Sequence, residues 1–310
     1  MLKILRPLSF VALSLLFTVS SCKKDNDPAT TDPEKDEMAI HSEDQSKVSN
    51  DLDGITNDLN LAIESSGSFS GKYQKVAAIC GATAVFDSTS NPKTITITYN
   101  GNDCSNTHHR QGTVVLSMPA GVQWKNVGAV LTVSISGLKI TRLIDNKFIT
   151  INGTHTLTNV SGGLLYHLAN MNHIIHTQNS DNMSITFMDS TSRNWKVARK
   201  RIYTYNNGIV ISSTGTHATN SITNISEWGT DRFGHPFITS ISEPLKIRQD
   251  CSFRLTSGQV KHQRMQSESV VTFGLNAQGN PTTCPGAAPF YFKAVWTGPN
   301  GNSITVIHPY

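Results

Sequence analysis

The chain has 310 residues, 37% of them apolar and only 15% charged, with a formal net charge of +4. That length supplies one large or two small hydrophobic cores. Acids are scarce after Ser65, which argues against a glycosidase built on paired carboxylates, and no stretch reaches the roughly 20 apolar residues of a membrane-spanning helix.

The first predicted element is an export signal. Lys3 and Arg6 form a positive start, and Leu8 to Val19 (LSFVALSLLFTV) is an apolar run too short to remain as a span. Val19-Ser20-Ser21-Cys22 then resembles the lipobox of bacterial lipoproteins, in which the cysteine thiol is lipidated and the chain is cut just before it. Residues 1–21 are thus expected as the signal peptide, Cys22 as the lipid anchor and residues 22–46 as a disordered acidic tether. A second acyl chain makes such anchoring stable where one chain is marginal. Lys23 and Lys24 stand where enteric bacteria place an inner-membrane retention acid, and Lys followed by Asp25 looks like a surface-export tag of Bacteroidetes lipoproteins. The expected address is the outer membrane, at the cell surface rather than the periplasmic face.

Charge divides along the chain. From Asp25 to Glu64 there are twelve acids against Lys35 and Lys47, a balance of −10, and from Ser65 to Tyr310 the balance is +10. Such asymmetry points either to an anionic partner, such as lipopolysaccharide or an acidic glycan, or to a solvated arm beside a diffusely charged body. Nothing resembles a motif that reads RNA or DNA, so no specific nucleic-acid partner is expected and any such binding would be electrostatic only.

Within residues 47–66, Val48, Leu52, Ile55, Leu59 and Ala62 recur at helical spacing. This predicts one short amphipathic helix, with Gly54 as its weak point. Beyond it the chain alternates strands rich in Thr, Ile and Val with turn residues. The predicted strands are 82–87, 93–99, 113–118, 129–136, 138–144, 148–159, 173–178, 183–189, 195–205, 208–214, 221–228, 237–242, 251–256, 259–264, 269–274, 290–296 and 303–308. Asp145-Asn146, Asn179–Asn182, Asn206–Gly208 and Pro299–Asn302 read as hairpin junctions. The expected class is therefore all-β, with residues 67–310 forming antiparallel sheets from consecutive hairpins. Sandwich, barrel and open meander all fit. The echo of Gly153-Thr-His155 in Gly215-Thr-His217 suggests two related halves, with the two histidines facing the same way.

Besides Cys22 there are four cysteines, and four in an exported chain suggest disulfides. Cys80 opens one predicted strand and Cys104 closes the next, so an antiparallel hairpin would bring them together. Cys251 and Cys284 repeat the arrangement. Each bridge would contribute on the order of 3 to 4 kcal/mol by closing a loop of about 25 to 35 residues. The spacings are unlike those of structural zinc sites.

These features resemble a group of Bacteroidetes lipoproteins of unknown function, with a lipobox, a short helix and a body opening on a cysteine strand. The residues that carry the likeness are Cys80 to Asp87, Lys93 to Cys104, Arg110 to Gly112, Ile151 to His155, Leu157 to Asn159, Arg193 to Trp195, Glu243 to Leu245, Cys251 to Arg254, and Ser257-Gly258. The resemblance supports the β body and the two disulfides and implies no activity. This chain has Phe273-Gly274 and Cys284-Pro285 where the group often carries acids, which removes the residues that would form a cation site there.

The remaining candidate is Arg193 to Arg201 (RNWKVARKR), whose alternation places Arg193, Trp195, Arg199 and Arg201 on one face. Exposed, that face would be a ligand surface for acidic glycans, with Trp124, Trp195, Trp228 and Trp296 available to stack on sugar rings. Among the eleven histidines, His173 and His176 would point to opposite faces of a strand, a poor chelate. There is no HExxH and no G-x-S-x-G, so no catalytic residue, metal ligand or cofactor is assigned. The expected role is non-catalytic, in adhesion, envelope structure or ligand binding. The alternatives are an acidic-glycan-binding module and a metal-dependent hydrolase.

Overall fold

The computed structural model describes residues 33–71, 78–251, 253–282 and 290–310. Helix α1 runs Pro33–Ser65, and a single turn, α2, follows at Gly67–Ser70, ended by Gly71 in the left-handed conformation. The helix is far longer than the predicted one: residues 33–46, expected as tether, form its first four turns. Pro33 takes the first helical position, where its missing N–H removes no bond, and Asp36 and Glu37 place negative charge at the positive end of the helix dipole. The buried stripe is continuous through Met38, His41, Ser42, Gln45, Val48, Leu52, Ile55, Leu59 and Ile63. Its first part is mostly polar, so hydrophobic periodicity does not reveal it. Gly54 lies on the exposed side and the helix passes through it unbroken.

The rest is one antiparallel sheet. Its strands are β1 (Ala82–Asp87), β2 (Lys93–Asn102), β3 (His108–Met118), β4 (Ala129–Arg142), β5 (Phe148–Asn159), β6 (Ile174–Phe187), β7 (Ser192–Tyr205) and β8 (Ile209–Gly215). They continue as β9 (His217–Thr219), β10 (Ile222–Thr230), β11 (Pro236–Arg248), β12 (Arg254–Arg264), β13 (Ser267–Leu275), β14 (Tyr291–Thr297) and β15 (Ser303–Pro309). Neighbours in sequence pair in space from β1 to β7 and from β10 to β15. Between β7 and β11 one lane is shared: β8 fills the half beside Leu245–Arg248 and β10 the half beside Pro236–Ser240. The curled meander is the form observed, as a single continuous sheet.

Several junctions differ from the predicted turns. Asn179–Asn182 is an irregularity inside β6, where pairing to β7 shifts between Ser180 and Met183. Likewise the predicted strands 129–136 and 138–144 form one strand, Ala129–Arg142, with a register shift around Gly137. Such bulges bend a strand and raise its twist. At Gly112 and Gly153 the positive φ and the close neighbouring backbone both require glycine: a Cβ there would lie 2.6 Å from the carbonyl oxygen of Gly137 or of Asn182. The bending has an evident purpose. α1 touches β2 near one edge of the sheet and β12, β13 and β14 near the other, so the sheet curls around it.

The main core joins Val48, Leu52, Ile55, Leu59 and Ile63 of α1 to inward residues of β2 to β5, among them Ile95, Ile97, Val114, Leu131, Val133 and Ile151. Each such fully buried aliphatic side chain contributes about 1.5–3 kcal/mol relative to exposure. Cys80 and Cys104 are bonded across the open end of the β1–β2 hairpin, as expected. Cys251 is also in a disulfide. Cys284, its expected partner, lies outside the described residues, as do Cys22 and the expected signal peptide.

Candidate functional site

β7 puts Arg193, Trp195, Arg199 and Arg201 on one face, as alternation required, but that face is the interior. The four are 1–4% exposed, so they are not a ligand surface, and the reason is α1. The helix lies across β7 and β10 and brings carboxylates to the guanidinium groups. Arg193 donates to Glu227 at 2.8 Å, Arg199 donates to the other carboxylate oxygen of Glu227, and Gln45 of the helix donates to Glu227 as well. Arg201 donates to Asp53 of the helix, and Arg199 lies 3.7 Å from the same carboxylate. The Arg193 guanidinium stands 5.0 Å from the Trp195 ring and 4.4 Å from that of Phe237, which closes the site with aromatic surface.

The pairing extends along the helix. Near its start, Glu37 accepts from Arg264, whose guanidinium is also 3.4 Å from Asp231. Asp44 pairs with Arg232 at 2.8 Å. On the far side Asp51 faces His108, and Asp58 takes a hydrogen bond of 2.6 Å from Arg110 and one of 3.2 Å from the Tyr99 hydroxyl. At the C-terminal end, Glu64 accepts backbone N–H groups of Leu165 and Tyr166, fixing the 3-10 turn at Leu165–Asn170. Burial pushes Asp44 and Asp51 up to about 6 and Glu64 up to about 7. Part of the charge contrast read from sequence is thus an internal seam, in which Glu37, Asp44, Asp53 and Asp58 of the helix meet arginines of the sheet.

The aromatic platform meets the same fate. Trp124, Trp195 and Trp296 are buried, and half-buried Trp228 is covered by His217 in a stack with ring centroids 4.1 Å apart. His155 is buried on β5 while His217 sits on short β9, so the echoed segments do not give their histidines a common environment. His173 and His176 do point apart: the first is exposed just before β6 and the second is buried. Burial lowers His155, His176 and His262 to about 3 and His41 well below the usual value, with Arg193 or Arg201 adding to the effect. These are neutral interior rings. Among the described residues no three His, Cys, Asp or Glu side chains are grouped to hold a metal ion, and no helix is long and apolar enough to cross a membrane.

An open, mostly apolar pocket of about 410 Å³ lies beyond the C-terminal end of α1, lined by Lys125, Asn126, Gly163, Leu164, His167 and Met171. Sequence reasoning did not anticipate it, nor the central place of Glu227, a carboxylate hydrogen-bonded by two arginines of β7. The available signal was the opposite charge of residues 25–64 and the body, which holds the pairing pattern but not its partners. The class defined here is a curled antiparallel sheet closed on its own acidic helix. No family model, curated protein or solved structure matches the chain.

Proposed function

We propose that the chain is an exported lipoprotein held at the outer membrane by lipid on Cys22, with a non-catalytic role in envelope structure or adhesion. The export and anchor rest on the positive start, the short apolar run and Val19-Ser20-Ser21-Cys22, in keeping with the resemblance to Bacteroidetes lipoproteins.

The observation that carries the non-catalytic reading is the engagement of the interior charges with one another. Arg110, Arg193, Arg199, Arg201 and Arg264 are each paired with a carboxylate of α1 or of the sheet, inside a site the helix closes. Groups held this way brace the fold and are not presented to a substrate. What remains for interaction is the outer surface of the sheet, its turns and the open pocket beyond the C-terminal end of α1.

Mass spectrometry of the native mature protein tests the anchor. An N-terminus at Cys22 carrying acyl mass is expected, and an N-terminus elsewhere, or one without acyl mass, overturns the proposal. Adhesion or an envelope role is then read from cells lacking the protein, as reduced surface attachment or increased leakage through the outer membrane. Intact attachment and intact barrier would remove that part of the reading.

A further inference from the structure

We propose that the end of the sheet at which α1 begins is a bilayer-contacting edge, its turn tips seated in the interface of the membrane that holds the anchor. The proposal rests on the anchor at Cys22 argued above, and extends it from a tether to an oriented contact.

Strand register places the relevant turns together. The β4–β5, β6–β7 and β12–β13 hairpins close at Thr141 opposite Phe148, Thr186 opposite Ser192 and Arg264 opposite Ser267, all at the same end of the sheet. Each tip carries an exposed apolar side chain: Ile144 at 92%, Met188 at 57% and Met265 at 66%. Turns ordinarily take Gly, Asn, Asp or Ser at such positions, and these do so only beside the apolar residue, at Asp145-Asn146 and Asp189-Ser190. Met265 is the strongest case. Its φ of +50° lies in the left-handed region, where a non-glycine residue is disfavoured by roughly 1–2 kcal/mol, so both its conformation and its exposure run against folding alone.

The chain's own entry point selects the occupant. Glu37, in the second turn of α1, is tied to Arg264 and faces His235, at the bases of the β12–β13 and β10–β11 turns. The helix therefore starts at this end. Pro33 is eleven residues beyond Cys22, a reach of at most about 40 Å even fully extended. A lipid on Cys22 therefore holds this end, where the helix starts, within that reach of the bilayer. A second copy of the chain fits less well. The three tips sit on separate hairpins, successive turns being spaced by about two strand widths, roughly 10 Å, with the Asp231–His235 turn between two of them. Isolated tips do not make the contiguous area of about 800 Å² per partner that a stable protein interface buries, whereas each can enter a lipid interface by itself. Exposed Lys147 beside Ile144 suits lipid phosphates, and the neighbouring acids are already engaged, Asp145 by Arg142 and Asp189 by Arg232 and Thr191.

The test uses the lipidated full-length product on vesicles of phosphatidylethanolamine and phosphatidylglycerol. An environment-sensitive fluorophore is placed at Ile144→Cys and, as the control at the opposite end, at Tyr205→Cys, a turn-flanking residue 52% exposed. A blue shift and quenching by bromolipid at position 144, with neither at 205, are expected. Vesicle-bound protein whose position 144 stays as wet as 205, or whose 205 is quenched instead, overturns the edge while leaving the anchor standing. Lipidated preparations that fail to bind vesicles at all overturn both. An Ile144→Ser, Met188→Ser, Met265→Asn variant should transfer to acceptor vesicles about tenfold faster at an unchanged melting temperature. An unchanged transfer rate would also sink the proposal.

Discussion

From Val48 to Ile63 the buried face of α1 is mostly aliphatic and packs on β2 to β5, while from Met38 to Gln45 the same face carries His41, Ser42 and Gln45 beneath β10 to β12. The two stretches lie on one helix, are equally inaccessible and dock on one sheet. Their energetics are opposite in kind. The aliphatic stretch gains from leaving water, and the loss on truncation is set by area and cavity. The polar stretch lies against a seam of buried charges that must first be desolvated, and it holds because each is met by a partner. One region supplies the drive for docking. The charged contacts, from Gln45 to Asp53, permit only one register, since a slip of one turn would leave Glu227, Asp53 and the arginines of β7 unmatched.

That contrast can be broken at Glu227. Glu227→Gln leaves Arg193 and Arg199 buried with no carboxylate between them, and should lose about 3–5 kcal/mol of stability in denaturant unfolding. A loss under 1 kcal/mol would mean the charged seam is irrelevant to docking. In the aliphatic region Leu59→Ala removes a side chain with no exposure and should lose about 2–5 kcal/mol, with the helix still docked in the same register. Changed exchange protection at Gln45 in that variant would show that the two regions are not separable.

Acid separates the two regions further. The unfolded chain binds protons on His41, His155, His176 and His262 as pH falls below about 6.5, whereas burial keeps the folded rings neutral down to about 3 for His155, His176 and His262. Their contribution is full above about pH 6.5 and is lost as pH falls toward 3. Asp44, Asp51 and Glu64 act in the other sense: their raised values favour the folded state below about pH 4 and lose that contribution as pH rises through 6 to 7. Asp58 is raised as well, but the histidines are the more strongly shifted, so the unfolding midpoint should fall between pH 7 and pH 5. Neither ring nitrogen of His155 has a hydrogen-bond partner among the described residues, so His155→Leu should flatten that slope. A midpoint that rises toward pH 5 would assign control to the carboxylates.

The smallest expected effect lies where the helix tests its own continuity. Gly54 is exposed and a Cβ there meets nothing within 4 Å, so Gly54→Ala should stabilise by about 0.5–1 kcal/mol. Destabilisation would reveal a break in the helix that the continuous stripe does not suggest.

The sequence by itself determined the local features: the all-β class, most strand positions, the helical stripe from Val48 to Ala62, the Cys80–Cys104 bridge and the shared face of Arg193, Trp195, Arg199 and Arg201. Each follows from alternation, helical spacing or turn chemistry within a few residues. Only the tertiary structure decided that this face looks inward, that the acidic segment is a helix from Pro33 and that Glu227 and Asp53 are its shared counter-charges. Periodicity identifies a face but not its environment, and a polar side chain reads as exposed until a partner many residues away, such as Asp53 for Arg201, removes it from water.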